Sequence, residues 1–180
     1  MNNATIKKMV LNGLMIALVF LTTCVTRFQG PVPQGYINFG DIFIMTAAIL
    51  LGKNSGFIAG SFGSALADIV MGYPVFAPVT FIVKGLEGYI TGAIAHNSYV
   101  KQHINSAKLI VAVITGALVM VAGYFFAELY VLKLVDNTFG YAAAMAELPA
   151  NLVQGGVSAA AGYVLVGVLS RVNSIKHILR

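Results

Sequence analysis

The sequence predicts an all-α, polytopic membrane protein: a six-transmembrane-helix bundle with its N and C termini cytoplasmic. Three observations carry that expectation. Of 180 residues, 58% are hydrophobic and only 9% are charged, where an ordinary soluble domain is about 45–50% apolar and about 25% charged. Eleven basic and six acidic side chains cannot clothe a soluble protein of this size. The mean hydropathy is +0.85, and the apolar residues come in long runs separated by turn residues. A soluble globular domain, a disordered chain and a disulfide scaffold are thereby excluded. Residues 1–180 read as one integral membrane domain without internal repeats.

The first apolar segment covers about 9–26. Lys7 and Lys8 precede it in the manner of a signal peptide, but no A-x-A cleavage site follows, so a retained helix is expected. Leu21-Thr22-Thr23-Cys24 is a poor lipoprotein box, because Thr23 stands before the cysteine. Cys24 is the only cysteine and forms no internal disulfide. Gly30-Pro31-Val32-Pro33-Gln34-Gly35 is a loop by its turn chemistry. The second segment covers 37–51 and the third 56–71, with Gly52-Lys53-Asn54-Ser55-Gly56 as a tight polar turn between them. Both are shorter than the roughly 20 residues a spanning helix needs. Gly72-Tyr73-Pro74 leads to the fourth segment, 75–95. A polar connector from His96 to Ser106 precedes the fifth, 107–132, and Asp136-Asn137-Thr138 marks the loop before the sixth, 141–169.

Positive charge sets the orientation, since basic residues concentrate in cytoplasmic loops. With six spans and both ends inside, Lys7, Lys8, Lys53, Lys101, Lys108, Arg171, Lys176 and Arg180 face the cytoplasm. Only Arg27 and Lys133 face out, and Lys84 falls within the fourth segment. The chain has no run of Arg and Lys with interleaved aromatics, so nucleic acid is not an expected partner.

The acids then fall on the outer side. Asp41, Asp68, Glu87, Glu128 and Glu147 lie on five different segments, with Asp136 in an outer loop. Charges at membrane depth cost several kcal/mol unless paired or hydrated, and so tend to mark function. Their convergence predicts a polar pocket open to the outside. Lys84 and Glu87, three residues apart, share a helix face and either pair with each other or meet a ligand. Glu147, Asn151 and Gln154 form a second stripe at spacings of four and three. Amides donate and accept, which suits a heterocycle with ring nitrogens and hydroxyls, although they also join helices in membrane bundles. Pro149 lies within this stripe and frees a backbone carbonyl. Small residues line the third and fourth segments, and Gly13 with Ala17 gives the first segment a small face for close helix packing or partner docking.

No catalytic constellation is legible and no cofactor or metal is expected. There is no P-loop and no H-E-x-x-H. His96, His103 and His177 fall in cytoplasmic connectors and read as solvated. Gly40-Asp41 lacks the earlier glycine of an intramembrane aspartyl protease, Asn38 standing in its place.

The runs Asn38-Phe39-Gly40-Asp41-Ile42-Phe43-Ile44, Leu51-Gly52, Ala59-Gly60-Ser61-Phe62-Gly63-Ser64-Ala65-Leu66-Ala67-Asp68, Phe81-Ile82-Val83-Lys84-Gly85-Leu86-Glu87-Gly88 and Glu147-Leu148-Pro149-Ala150-Asn151-Leu152-Val153-Gln154 resemble the substrate-binding S components of energy-coupling factor (ECF) transporters. The resemblance extends over nearly the whole chain and is nearest to the branch with riboflavin-type and hydroxymethylpyrimidine/pyridoxine-type members. It implies a non-enzymatic subunit of a bacterial plasma membrane that captures a vitamin from outside. Such a subunit works with a membrane T component and two cytoplasmic ATPases. By position, Asp41, Asp68, Lys84, Glu87, Glu147, Asn151 and Gln154 would lie in or beside the pocket. Gly13-x-x-x-Ala17 stands where many S components carry Ala-x-x-x-Ala for docking the T component. Absence of Trp disfavours a thiamin-type site; Tyr36, Tyr73, Phe76, Tyr89 and Tyr124 are the stacking candidates. A small ring with hydroxymethyl groups fits the polar side chains, with riboflavin as the alternative. A stand-alone proton-coupled carrier and a non-transporting subunit are the alternatives of another class. The clustering of acids on one side favours capture over a proton relay.

Overall fold

The computed structural model describes residues 3–29, 35–100 and 105–172. Most of the expected loop at 30–34, the connector residues Lys101 and His103, and the basic tail with Lys176, His177 and Arg180 lie outside the described residues. The described chain is helical apart from one short hairpin. Helix α1 is Asn3–Val25, β1 Phe28–Gln29 and β2 Tyr36–Ile37, followed by α2 Asp41–Leu51 and α3 Lys53–Val70. Then come α4 Ala77–Val100, α5 Ser106–Phe126 and α6 Tyr141–Leu169. A π-turn, Ala127–Val131, and a single 3-10 turn, Leu132–Leu134, extend α5.

Three helical stretches are long and apolar enough to cross a membrane: Thr5–Val25, Ser106–Leu134 and Tyr141–Leu169. The other three helices differ for identifiable reasons. Helix α2 has 11 residues, about 16 Å of rise, and Ile44 through Leu50 are all buried. It is apolar all round because it is the centre of the bundle, packed against α1, α3, α4 and α6. Helices α3 and α4 hold their polar and small residues inward. Outward they show Phe62, Leu66 and Ile69 from α3, and Ile82 and Leu86 from α4. Averaged along the sequence, the inward residues mask the outward apolar face.

Small residues allow α3 and α4 to touch backbone to backbone. A Cβ added at Gly56 would lie 2.7 Å from the Gly88 carbonyl oxygen, and one at Gly92 would lie 2.6 Å from the Lys53 Cα. Ser61 Oγ donates to the Phe81 carbonyl at 2.7 Å across the same seam. The break between α2 and α3 is tighter than the five-residue turn expected. Gly52 alone makes it, at φ +101°, and α3 resumes at Lys53. That left-handed φ requires glycine. His96 also departs from expectation. It lies on α4, is half-buried, and its Nδ1 is 2.9 Å from the Ile49 carbonyl oxygen at the C-terminal end of α2. The ring satisfies a carbonyl left free where the helix stops.

Two apolar cores fill the ends of the bundle. Met45, Ile49, Val113, Ala117 and Val166 join α2, α5 and α6 at one end. Phe76, Val79, Val83, Met120, Leu132 and Phe139 fill the other end, where the hairpin and the 127–139 segment lie. Asn105 caps α5, its Oδ1 accepting from Ala107 N at 3.0 Å. The expected sixth segment coincides with α6, which runs through Pro149 without a break. The second segment starts four residues later than expected, because Tyr36 and Ile37 pair with Phe28 and Gln29 as an antiparallel hairpin.

Candidate functional site

A small cavity of about 30 Å³ lies at the hairpin end of the bundle. Its lining is Gly35, Tyr36 and Asn38 from the hairpin arm, Asp68 from α3, and Phe76 and Thr80 from the start of α4. Tyr124 from α5 and Glu147, Asn151 and Gln154 from α6 complete it. Four of the expected site residues therefore meet here: Asp68, Glu147, Asn151 and Gln154. The spacing of four and three on α6 places its three polar side chains on one inward face, and all three are buried.

The other three expected residues form a network behind the wall. Lys84 Nζ contacts Asp41 Oδ1 and lies 3.5 Å from Glu87 Oε2. All three side chains are at most 2% exposed. The pairing of Lys84 with Glu87 at spacing three is seen, but the nearer partner of Lys84 is Asp41, 43 residues away on α2. Gln154 connects this network to the cavity. Its Nε2 donates to Asp41 Oδ2 at 2.7 Å, and its Oε1 accepts from Asn38 N at 3.0 Å. Asn38 Oδ1 in turn accepts from Gly40 N at 2.9 Å and from Thr23 Oγ1 at 3.3 Å. The ammonium of Lys84 lies 5.5 Å from the centre of the Tyr124 ring. A buried charge set of this kind stands only because each member is held by others.

The hairpin closes the mouth. Tyr36 donates its hydroxyl to Asp68 Oδ1. Burial, then the Asp68 carboxylate, pushes the Tyr36 phenol above its ordinary range, so it remains a donor. The Tyr36 ring packs 5.1 Å from that of Tyr73, and the Arg27 guanidinium sits 5.6 Å above Tyr73. Gly35 comes so close to Glu147 that a Cβ there would overlap the carboxylate. On the opposite wall Tyr124 donates to Thr80 Oγ1 at 3.0 Å. Of the stacking candidates, Tyr36, Phe76 and Tyr124 line the cavity, whereas Tyr89 lies beneath Lys53 Nζ, 5.0 Å from its ring, and is not among the lining residues.

Sequence reasoning left Gly35, Asn38 and Thr80 out of the site. Asn38 had a signal in its place three residues before Asp41, while Gly35 and Thr80 had none. Glu128 was seen as an outer acid but not placed at the site. The π-turn carries it inward, where it is 1% exposed and adjacent to Glu147. Such turns insert one extra residue in a helix and often accompany functional sites. Among the described residues, no group of His, Cys, Asp and Glu is arranged to hold a metal ion.

The sequence is matched by a family of membrane transport subunits. A profile described as "ECF-type riboflavin transporter, S component" matches residues 3–171. The chain belongs to that family, the substrate-binding S components of ECF transporters, as its sequence motifs implied. A Pyrococcus woesei protein, named only as an uncharacterized protein in the gap 3′ region, is 39% identical over 151 residues, spanning 84% of this chain and 90% of its own. The thiamine precursor transporter HmpT of Lactococcus lactis is 30% identical over 171 residues, spanning 94% of this chain and 89% of its own.

Proposed function

We propose that this protein is the capture subunit of an ECF importer that binds a small heterocyclic vitamin or vitamin precursor from outside the cell. The observation that carries the proposal is the cavity lined by two carboxyls, three amides, a threonine hydroxyl and two tyrosines at one end of an apolar bundle. Amides and carboxyls read the donors and acceptors of a ring edge, and aromatic rings cover its face. Asp68, Glu147, Asn151 and Gln154 contact the ligand. Asp41, Lys84 and Glu87 hold Gln154 and the hairpin arm in position. The ring we favour is of hydroxymethylpyrimidine or pyridoxine size, and the name of the Lactococcus relative, a thiamine precursor transporter, supports a vitamin precursor. Riboflavin is the second reading, favoured by the description of the family profile.

In this reading the chain is a single membrane domain of six spans with both ends inside, placing the cavity outward. A T component and two ATPases supply the energy, because the sequence carries no P-loop. Docking falls on α1. Gly13 and Ala17 are exposed, and a Cβ at Gly13 would meet no atom within 4 Å, so their small face is free of the chain's own helices.

Native mass spectrometry of the purified protein is the test. A retained or added heterocyclic vitamin of one defined mass is expected. Glu147→Ala and Asn151→Ala should each weaken its binding by about 1–3 kcal/mol, the cost of leaving a buried polar partner unsatisfied. Unchanged affinity in both variants, with the protein intact, would move the pocket elsewhere.

A further inference from the structure

At the end of the bundle opposite the cavity, α3 and α4 leave a groove of about 520 Å³ on their outward surface. The glycine seam between the two helices causes it. Gly56 and Gly88 bring the backbones into contact, so the larger side chains on either side of the seam stand up as walls. Those walls are Phe57 and Ile58 from α3 and Leu86 and Tyr89 from α4, with Asn54 at one end. The Phe57 ring covers Gly85, where an added Cβ would lie 2.8 Å from it, and meets the Phe81 ring edge to face at 6.1 Å. Leu86 is 42% exposed and Tyr89 37%, so the trough is open to the surroundings.

The groove is graded along the helix axis. Helix α3 begins at Lys53, and Ile58 lies about 7.5 Å deeper along it. Lys53 is exposed, and its ammonium sits over the Tyr89 ring at the rim, 5.0 Å from the ring centre. No acidic side chain lines the groove. Glu87, the neighbour of Leu86, is fully buried and faces Lys84 inside the bundle. A cation at the rim above an apolar trough complements a molecule with an anionic head and a hydrocarbon tail. A small soluble anion would use the rim alone, and an extended peptide would leave its backbone N–H and C=O groups unpaired against the apolar floor. We propose that this groove binds an anionic phospholipid, its phosphate at Lys53 and Asn54 and one acyl chain along Phe57, Ile58, Leu86 and Tyr89. In the orientation proposed above the rim lies in the cytoplasmic leaflet, whose surface carries negative charge. The site is at the opposite end from the vitamin cavity, so the inference goes beyond the capture reading and does not depend on it.

The test uses the full chain, stripped of lipid in detergent and titrated with phosphatidylglycerol or phosphatidylcholine of the same acyl chains, with the first bound lipid followed by native mass spectrometry. Phosphatidylglycerol should bind at least about fivefold tighter, the scale of one lysine at a membrane surface. Lys53→Gln should cut that preference to about twofold or less, and Lys53→Arg should keep it. Lys108→Gln, which removes a cation at the start of α5 and outside the groove, should keep it too. Glycerol phosphate, a headgroup without chains, should not displace the lipid. Phosphatidylglycerol with a photoactivatable acyl chain should mark Ile58, Leu86 or Tyr89 on peptide mapping. Equal binding of the two lipids by the unaltered protein overturns the site without recourse to any variant. So does a folded Lys53→Gln that keeps the full preference, or an equal loss in Lys108→Gln, which would make the effect one of general surface charge. Displacement by glycerol phosphate would reduce the site to an anion contact, and crosslinks confined to other helices would empty the groove; either result overturns the proposal.

Discussion

Lys84 is the residue on which the interior turns. It is 2% exposed, and it neutralises Asp41 on α2 and Glu87 one turn along its own helix. Removing one member of a buried ion set leaves the others uncompensated, at a cost of about 3–5 kcal/mol. Lys84→Met should therefore lower the thermal midpoint and the folded yield in detergent far more than Asp41→Asn, which leaves Glu87 to hold the ammonium. Equal melting of Lys84→Met and the unaltered protein would show that the network does not carry this load. Tyr36 acts at the mouth instead. Tyr36→Phe keeps the ring against Tyr73 but deletes the donor to Asp68. We expect ligand affinity to fall while stability drops by about 1 kcal/mol, the ordinary value of one partly exposed hydrogen bond.

At the scale of elements, α3 and α4 are held by contact between glycines and backbone, and α1 is held more loosely. Gly56 and Gly88 leave no room for a side chain, since a Cβ at either would enter the other's backbone. Gly56→Leu should force the helices apart and abolish folding, read as loss of a monodisperse peak on gel filtration. The exposed face of α1 predicts the opposite. Val10, Gly13, Leu14 and Ala17 point away from the bundle. Gly13→Leu combined with Ala17→Leu should leave vitamin binding by the isolated protein intact. Uptake and co-purification with the T component should both fall, because a large side chain holds partner backbones apart. Loss of binding would mean that the face is internal after all, and unchanged uptake would put docking on another helix.

For the molecule as a whole, the arrangement of elements places Arg27, Asp68, Tyr73, Glu128 and the 132–139 segment at the cavity end. Gly52, His96 and Asn105 lie at the other. With the basic residues Lys53 and Lys108 at the end opposite the cavity, the positive-inside rule favours the proposed outward-facing site. Reporter fusions after Arg180 and within the Asp136–Thr138 loop should give opposite answers. Matching answers would overturn the six-span topology and with it the outward-facing site.

Much of this was legible from the chain alone. Composition and long apolar runs determine a helical membrane protein, because only a continuous apolar surface suits the bilayer. The motif runs around Asp41, Asp68, Lys84 and Glu147 determine the family. The spacing of Glu147, Asn151 and Gln154 determines one wall of the cavity, since helical periodicity is local. What the tertiary structure decided is everything that depends on partners far apart in sequence. It joined Lys84 to Asp41 across 43 residues and Gln154 to Asp41 across 113. It turned Glu128 inward through a π-turn, which no local pattern announces. It brought Gly35 against Glu147 and closed the mouth by pairing Phe28 and Gln29 with Ile37 and Tyr36 on either side of the expected loop. Local periodicity says which residues share a face; only packing decides which faces meet, because close contact between helices is set by the shapes of both.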